Sequence, residues 1–255
     1  MGRRGPHRTS AAVLLSFPHA PRDYSVRMDS PLDPHNPLGD LPRTRREYGA
    51  GRLDGVADTP FAQFSRWYAD ARDASVDEPN AMVLATVDED GPDGRLVLLK
   101  GFDPLGFVFY TNYGSTKGRQ LGATPRAALT FPWHGMQRQV RVRGSVEPVS
   151  AELSDAYFLS RDEDSRLGAW ASAQSQPIDS RASLEAAVER VRQGESGSAD
   201  RRPPHWGGYR VRPSAIEFWQ GGRARIHDRF LYRTPDGSPR SLDDADAWTV
   251  TRLQP

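Results

Sequence analysis

Apolar and polar residues alternate through the middle of the chain with the period of β-strands. Val140 and Val142 alternate with Arg141 and Arg143, so the two pairs should face opposite sides of one strand. Comparable apolar runs, separated by residues typical of turns, predict further short strands. The predicted strands cover residues 81–87, 95–102, 106–112, 126–133, 138–149, 207–213, 215–221 and 247–253.

Helical periodicity appears in three segments. Over residues 58–72, Thr59 suits the N-cap and Pro60 suits the first helical position. Two more helices are predicted over about 150–160 and 180–194. Closely spaced strands with segregated helices predict an α+β antiparallel barrel, not a doubly wound parallel sheet. The apolar face of the first helix consists of Phe61, Phe64, Tyr68 and Ala71.

Composition narrows the class of protein. The 255 residues include 34 basic and 33 acidic side chains, and this near-balance disfavours a general nucleic-acid binder. The chain has no cysteine, which excludes disulfides and thiolate chemistry. No apolar run approaches the ~20 residues that span a bilayer. The six histidines show no metal-ligand spacing, and there is no G-x-G-x-x-G or P-loop motif, so we predict no metal and no Rossmann-type nucleotide site.

The first 43 residues are predicted to be a disordered extension, because they are rich in Pro, Arg, Ser and Asp and lack a sustained apolar period. Residues 1–20 begin basic and continue apolar, as a signal peptide does. The apolar segment 11–17 is short, however, and Pro18 follows at once. We therefore expect a cytoplasmic protein, and Met28 offers an alternative start.

Two polar segments have the composition of anion sites. Residues 110–120 include Thr111 and Lys117, whose hydroxyl and ammonium suit a phosphate. The same sequence is equally consistent with an ordinary glycine turn that binds no ligand. Tyr157, Arg161 and Ser165 recur every four residues. This spacing places Tyr157 and Arg161 on one helical face. That face either binds a phosphate or belongs to an amphipathic helix whose arginine is solvated.

Further polar residues are candidates for ligand contacts. Arg95 and Lys100 flank the apolar sequence LVLL and either present charge to one ligand or are strand ends that simply reach water. Gln139 offers an amide that can both donate to and accept from a heteroaromatic ring. Gln174 and Ser175 follow small residues that permit close backbone approach. The segment WQGGRARIHDRF, residues 219–230, is either a solvated basic loop or a clamp for a flat anion.

Eight segments, in this order, resemble the pyridoxine/pyridoxamine 5′-phosphate oxidase family. The resemblance runs from about Arg45 to Pro255, and it implies one domain over residues 44–255. It further implies an FMN-binding split β-barrel, a homodimer with FMN at the subunit interface, and FMN-dependent oxidation of B6 phosphates by dioxygen. The segments are RREYGAGRL, EPNAMVLATVDEDG, RLVLLKGFD, FYTNYGSTKG, FPWHGMQRQVRVRG, LGAWASAQS, PPHWGGYRV and IEFWQGGRARIHDRF.

The resemblance also implies roles for individual residues. Arg225 and His227 would lie over the substrate ring and act in catalysis, and Arg45 to Tyr48 would close over the site. The substrate phosphate would be held by Lys100, Tyr157, Arg161 and Ser165. FMN would contact Arg95, Leu96, Val97, Leu98, Leu99, Lys100, Tyr110, Thr111, Thr116, Lys117, Gln139, Gln174, Ser175, Trp219 and Arg229.

Two departures from the family pattern affect these expectations. Thr116 stands where the family usually has an arginine, which predicts weaker FMN binding unless Lys117 compensates. Asp162, Glu163 and Asp164 place three acids beside the expected phosphate site. These changes keep two alternatives open: a catalytically weak protein that binds FMN or pyridoxal phosphate, and a flavin oxidoreductase with another substrate.

Overall fold

Nine antiparallel strands form one sheet in a computed structural model that describes residues 47–49 and 51–255. The sheet order is β2-β1-β5-β6-β7-β4-β3, and β8 pairs with β7 while β9 pairs with β8. The extension predicted over residues 1–43 lies outside the described residues. The strands are β1 (Ala81–Asp88), β2 (Gly91–Leu98), β3 (Gly101–Asp103), β4 (Gly106–Asn112), β5 (Arg126–Trp133), β6 (Arg138–Pro148), β7 (Trp206–Gln220), β8 (Asp228–Arg233) and β9 (Thr249–Leu253).

Five α-helices flank the sheet within the same range of residues. Helix α1 begins as predicted, because the Thr59 side chain accepts from the Ala62 N–H and Pro60 is the first helical residue. No helix in the described part of the chain has both the length and the hydropathy that a bilayer crossing requires. The helices are α1 (Pro60–Asp73), α2 (Thr116–Ala123), α3 (Ala151–Leu159), α4 (Glu163–Ala171) and α5 (Arg181–Arg192).

The core lies between α1 and the inner face of the sheet. Phe64 of α1 is buried, with its ring centroid 4.9 Å from that of Phe107 on β4 and 5.1 Å from that of Phe131 on β5. The alternation predicted for β6 is confirmed, since Val140 and Val142 are buried. The α+β antiparallel fold predicted from the pattern is therefore confirmed, with a polar outer face left on the sheet.

Three strand predictions need correction. The strand predicted over 95–102 is two strands, because the chain changes partner: β2 pairs with β1 and ends at Leu98, whereas the Lys100 N–H donates to the Val108 carbonyl of β4, with which β3 pairs from Gly101. The two strands predicted around Pro213 are one strand, β7. A shift in the β6–β7 register between Arg143 and Gly144 accommodates the proline, which has no N–H to give to the ladder. Strand β8 was not predicted at all.

Two helices were also not predicted. Helix α2 begins after Ser115, whose side chain accepts from the Gly118 N–H, and its glycines conceal the helical pattern. Helix α4 begins after Asp162. The prediction that Tyr157 and Arg161 share one helical face is wrong, because α3 ends at Leu159 and Arg161 lies in the turn before α4.

Candidate functional site

An open cleft of about 1140 Å³ lies beside β2 and β4, with α3 and α4 on its other side. It brings together both of the anion sets predicted from the sequence, which are more than forty residues apart in the chain. The helix break between α3 and α4 does not separate Tyr157 from Ser165, since both line this cleft. The predicted residues that line it are Arg95, Leu96, Val97, Leu98, Lys100, Tyr110, Thr111, Lys117, Tyr157, Arg161, Ser165, Gln174 and Ser175.

Lys117 marks one end of this cleft. Its Nζ lies 3.3 Å from Thr111 Oγ1 and 3.1 Å from Gln174 Oε1. Burial, and then the positive charge of Arg95, lower the pKa of the Lys117 ammonium. Its hydrogen bonds to described residues go only to neutral oxygens, so this cation is oriented without being neutralised. Such a group favours an anionic ligand.

Arg161 marks the other end. Its guanidinium carbon lies 4.8 Å from the ring centroid of Trp206, a cation–π distance. Its Nη1 is buried and makes no hydrogen bond to any described residue. Burial lowers the pKa of this guanidinium. A buried charged donor without a partner is costly, so this geometry fits a site that an anion completes.

The acidic run at 162–164 has a structural role in starting α4. The Asp162 carboxylate accepts from the Ser165 N–H at 2.8 Å, and that hydrogen bond keeps the pKa of Asp162 below its ordinary value. Asp164 pairs with Arg192 of α5 at 2.9 Å, and Glu163 lies 4.0 Å from the same guanidinium. Acidic groups are favourable at a helix N-terminus. Two of the three acids therefore face α5.

A second cluster of predicted residues lies on the outer face of the sheet. Gln139 of β6, Trp219 of β7 and Arg229 of β8 are directly opposed in register, so they form one row on one face. The Arg229 Nε donates to Glu217 Oε1 at 2.9 Å, and Glu217 is buried. The three residues that the resemblance assigns to FMN here are thus neighbours in space.

The turn after this row carries the predicted catalytic pair. Ala224 and Arg225 both have left-handed backbone, with φ of 53° and 65°. This conformation costs about 1–2 kcal/mol for each residue with a Cβ, which suggests that the position of Arg225 matters. The Gly222 N–H donates to His227 Nδ1 at 3.2 Å. The proton of the neutral imidazole is therefore on Nε2, where it is available to a ligand.

Tyr48 packs against this turn, with its ring centroid 5.8 Å from those of Trp219 and His227. None of these residues lines the cleft. Trp206 at the cleft and Trp219 in the row lie near opposite ends of β7, roughly 40 Å apart along the strand. Within one subunit, the cleft and the row of Gln139, Trp219 and Arg229 are separate surfaces.

Some predicted site residues lie elsewhere. Leu99 is buried in the core and does not face the cleft, because the chain between β2 and β3 turns it inward. Thr116 does not line the cleft either, and its hydroxyl accepts from Arg119 at 3.4 Å. Arg45 lies outside the described residues. Among residues 47–255 apart from 50, no group of three potential metal ligands lies together.

Three residues at these surfaces were missed by sequence reasoning. Trp206 stacks near Tyr110, with ring centroids 5.5 Å apart, and supports Arg161. Glu217 orients Arg229, and Gln120 contacts Arg95. Of these, only Glu217 carried a signal, as an acid within an otherwise apolar strand. The other two act through contacts between distant segments.

Comparisons with known proteins identify the family of this chain. Residues 69–194 match the family model for pyridoxamine 5′-phosphate oxidase. Residues 206–255 match the model for the pyridoxine 5′-phosphate oxidase C-terminal dimerisation region. This second match covers β7, β8 and β9, which include most of the row and its turn.

Curated relatives are similar over almost their whole length. A pyridoxine/pyridoxamine 5′-phosphate oxidase of Burkholderia lata is 53% identical over 221 residues, which cover 86% of this chain and 99% of that protein. One of Bordetella petrii is 56% identical over 214 residues, which cover 83% and 97%. These values establish the family to which this chain belongs.

Solved structures share the fold. The structure of PhzG from Burkholderia lata, in complex with tetrahydrophenazine-1-carboxylic acid, matches with a TM-score of 0.69 and 29% identity, over 80% of this chain and all of that chain. A pyridoxamine 5′-phosphate oxidase-related, FMN-binding protein of Nostoc punctiforme matches with a TM-score of 0.59 at 18% identity. The split-barrel fold and FMN as the cofactor, both predicted from the resemblance, are confirmed. The chain belongs to the pyridoxamine 5′-phosphate oxidase family.

Proposed function

We propose that this protein oxidises pyridoxamine 5′-phosphate and pyridoxine 5′-phosphate to pyridoxal 5′-phosphate, with FMN as cofactor and dioxygen as the final electron acceptor. The observation that carries the proposal is the pair of cationic positions at the two ends of one cleft, at Lys117 and Arg161. A cofactor phosphate and a substrate phosphate require two such positions. Identity of 53–56% with relatives of that name adds support.

The residues at the Lys117 end fit the FMN phosphate. They combine the ammonium of Lys117, the hydroxyl of Thr111 and the side chain of Gln174, and Arg95 lines the same cleft. The chemistry that FMN supplies when bound is acceptance of a hydride from the substrate C4′ carbon and transfer of two electrons to dioxygen, which leaves as hydrogen peroxide. The protein contributes binding, orientation and charge.

The residues at the Arg161 end are proposed to hold the substrate. Arg161 directs its unpaired Nη1 toward the substrate phosphate, with the hydroxyls of Tyr157 and Ser165 beside it in the cleft. Arg225 orients the C4′ amine or alcohol, and the proton on His227 Nε2 makes a hydrogen bond that fixes the ring. The burial of His227 and the nearby charge of Arg225 lower the pKa of this imidazole, which keeps it neutral near pH 7.

The complete site is proposed to need two subunits. The cleft of one subunit contains no member of the Gln139–Trp219–Arg229 row, although both surfaces are assigned to FMN. A twofold homodimer places the same two surfaces of its partner opposite them, which yields two equivalent complete sites. The match of residues 206–255 to a dimerisation region supports this arrangement. The proposed unit is residues 44–255, and a cytoplasmic location stays a prediction.

The experiment that tests the reaction is anaerobic. Purified protein is reconstituted with FMN and mixed with pyridoxamine 5′-phosphate or pyridoxine 5′-phosphate while flavin absorbance is followed. We expect the flavin to bleach and to recover its colour when air is admitted, with formation of pyridoxal 5′-phosphate. Bound flavin that neither phosphate bleaches would refute the proposed substrates and would favour a protein that binds FMN without oxidising these phosphates.

A second candidate is oxidation of a reduced aromatic carboxylate. It is favoured by the similarity to the whole chain of PhzG, whose structure holds tetrahydrophenazine-1-carboxylic acid. The same anaerobic assay with that acid separates the candidates. Bleaching by the carboxylate alone would establish the second candidate, whereas bleaching by the B6 phosphates alone would eliminate it.

A further inference from the structure

Gln120 is the centre of a buried polar network between α2 and β1. Its side chain is 4% exposed, and its amide makes three side-chain hydrogen bonds. Gln120 Oε1 accepts from Arg95 Nη2 at 3.0 Å and from Thr86 Oγ1 at 2.5 Å. Gln120 Nε2 donates to Asp88 Oδ2 at 2.6 Å. The amide is held from both ends, so its orientation is defined by its partners.

This network controls where the Arg95 guanidinium lies. Arg95 Nη1 donates to the Leu84 carbonyl at 3.3 Å and also to Thr86 Oγ1. Arg95 Nη2 also pairs with the half-exposed carboxylate of Asp93, which neutralises part of its charge. The other acceptors, on Leu84, Thr86 and Gln120, are neutral oxygens, so they hold the guanidinium without adding negative charge.

The same amide connects Arg95 to the helix that carries Lys117. Lys117 and Gln120 are one turn apart on α2, and both Lys117 and Arg95 line the cleft. Both cations line one cleft, and the charge of Arg95 contributes, after burial, to lowering the pKa of Lys117. A tether on Arg95 opposes the repulsion between them. Asp88 of β1 bonds the nitrogen of the amide and Arg95 bonds its oxygen.

We infer that Gln120 is a positioning residue for the FMN phosphate, because it fixes Arg95 in the cleft that Lys117 also lines, through a neutral oxygen that adds no negative charge beyond that of Asp93. This inference rests on the proposed placement of the FMN phosphate at Lys117. The chemistry requires an amide at position 120. A carboxylate there would hold Arg95 equally well but would neutralise it.

An exchange of charge between two neighbouring positions tests this requirement. Gln120→Glu combined with Asp88→Asn keeps an acceptor toward Arg95 and a hydrogen bond between positions 88 and 120. The net charge is unchanged, but the negative charge moves from the β1 side of the amide to Arg95. FMN affinity is measured by the quenching of FMN fluorescence, and folding is measured by thermal unfolding of the protein without FMN.

We expect the exchanged variant to unfold close to the wild-type temperature and to bind FMN roughly tenfold more weakly. Gln120→Leu should lose both FMN affinity and thermal stability. Gln193→Leu, which removes an exposed glutamine at the C-cap of α5, is the control and should change neither. An exchanged variant that folds normally and binds FMN as tightly as the wild type would overturn the inference, since the amide would then be only a structural link.

The failure of the inference is distinguishable from the failure of the proposed function. If wild-type protein binds FMN but shows no oxidase activity, the assigned reaction fails while the role of Gln120 is still tested by affinity. If Lys117→Ala leaves FMN affinity unchanged, the placement of the phosphate fails, and the inference about Gln120 fails with it.

Discussion

The cleft forms one half of the proposed site, and the Gln139–Trp219–Arg229 row with the turn that carries Arg225 and His227 forms the other. The two halves are built differently. In the cleft, Lys117 and Arg161 are half-buried and have no carboxylate within salt-bridge distance among the described residues. In the row, Arg229 is already paired with Glu217. Arg225 is exposed on a strained backbone. The cleft therefore contains cations that an anionic ligand can neutralise, whereas the turn exposes the hydrogen-bond donors of Arg225 on the surface.

The difference indicates what each half lacks. The cleft has walls from β2, β4, α3 and α4 and is formed within one chain. The row lies on an outer sheet face, and among the described residues Gln139, Trp219 and Arg229 do not line the cleft. Each half is therefore incomplete in a different way, and variants that damage one half each can test the comparison directly.

The largest effect is expected from mixing two inactive variants. Arg161→Ala damages the cleft and Arg225→Ala damages the turn. If each site combines the cleft of one subunit with the turn of its partner, a mixed dimer contains one intact site. At a substrate concentration far below the raised KM of Arg161→Ala, both variants are nearly inactive, and random exchange of subunits should restore about a quarter of wild-type activity. No recovery after confirmed subunit exchange would show that both halves belong to the same chain.

Arg225→Ala alone should reduce the rate of hydride transfer roughly a hundredfold, because it removes a positioned charged donor at the reacting carbon. FMN affinity should stay nearly unchanged. The measurement is stopped-flow flavin bleaching under anaerobic conditions. Arg181→Ala, which removes an exposed arginine paired with Glu185 on α5, is the control. Equal losses of FMN binding and hydride transfer would remove Arg225 from the substrate half.

Arg161→Ala should raise the KM for the phosphorylated substrate roughly ten- to hundredfold, since a charge-assisted hydrogen bond to the phosphate is lost. The kcat should change little, and FMN affinity should be retained. Steady-state kinetics with pyridoxamine 5′-phosphate provide the measurement. An unchanged KM would place the substrate phosphate elsewhere in the cleft.

Asp162→Ala should lower the unfolding temperature by about 2–4 °C, because it removes the N-cap of α4. We expect no improvement in substrate affinity, since the carboxylate is engaged with the Ser165 N–H. Thermal unfolding and KM are measured on the same preparation. A lower KM without loss of stability would mean that the acid opposes the phosphate, as the sequence alone suggested.

The smallest effect concerns His227. Burial and the charge of Arg225 lower the pKa of this imidazole, so it stays neutral until the pH falls below its ordinary value. Removal of the Arg225 charge should move the pKa upward, while burial, the larger cause, should still hold it below its ordinary value. Titration of the imidazole proton resonances by NMR gives the shift. A pKa that does not rise in Arg225→Ala would contradict the proximity of the two side chains.

Local patterns were sufficient where one segment decides its own structure. The Thr59–Pro60 start of α1 and the alternation of β6 follow from capping and from a period of two, both of which are read along the chain. The same reasoning failed for α2, α4 and β8. Their boundaries depend on Ser115, on Asp162 and on pairing with β7, which local apolar periodicity does not reveal.

The sequence by itself determined the residue types of the site, and its family resemblance determined the class of cofactor and the family. Only the tertiary structure decided how these residues are grouped. Register across β6, β7 and β8 aligned Gln139, Trp219 and Arg229, while the break after α3 turned Arg161 into the cleft beside Trp206. The physical reason is that hydrogen-bond register and burial join segments far apart in the chain, and no local pattern specifies which segments will meet.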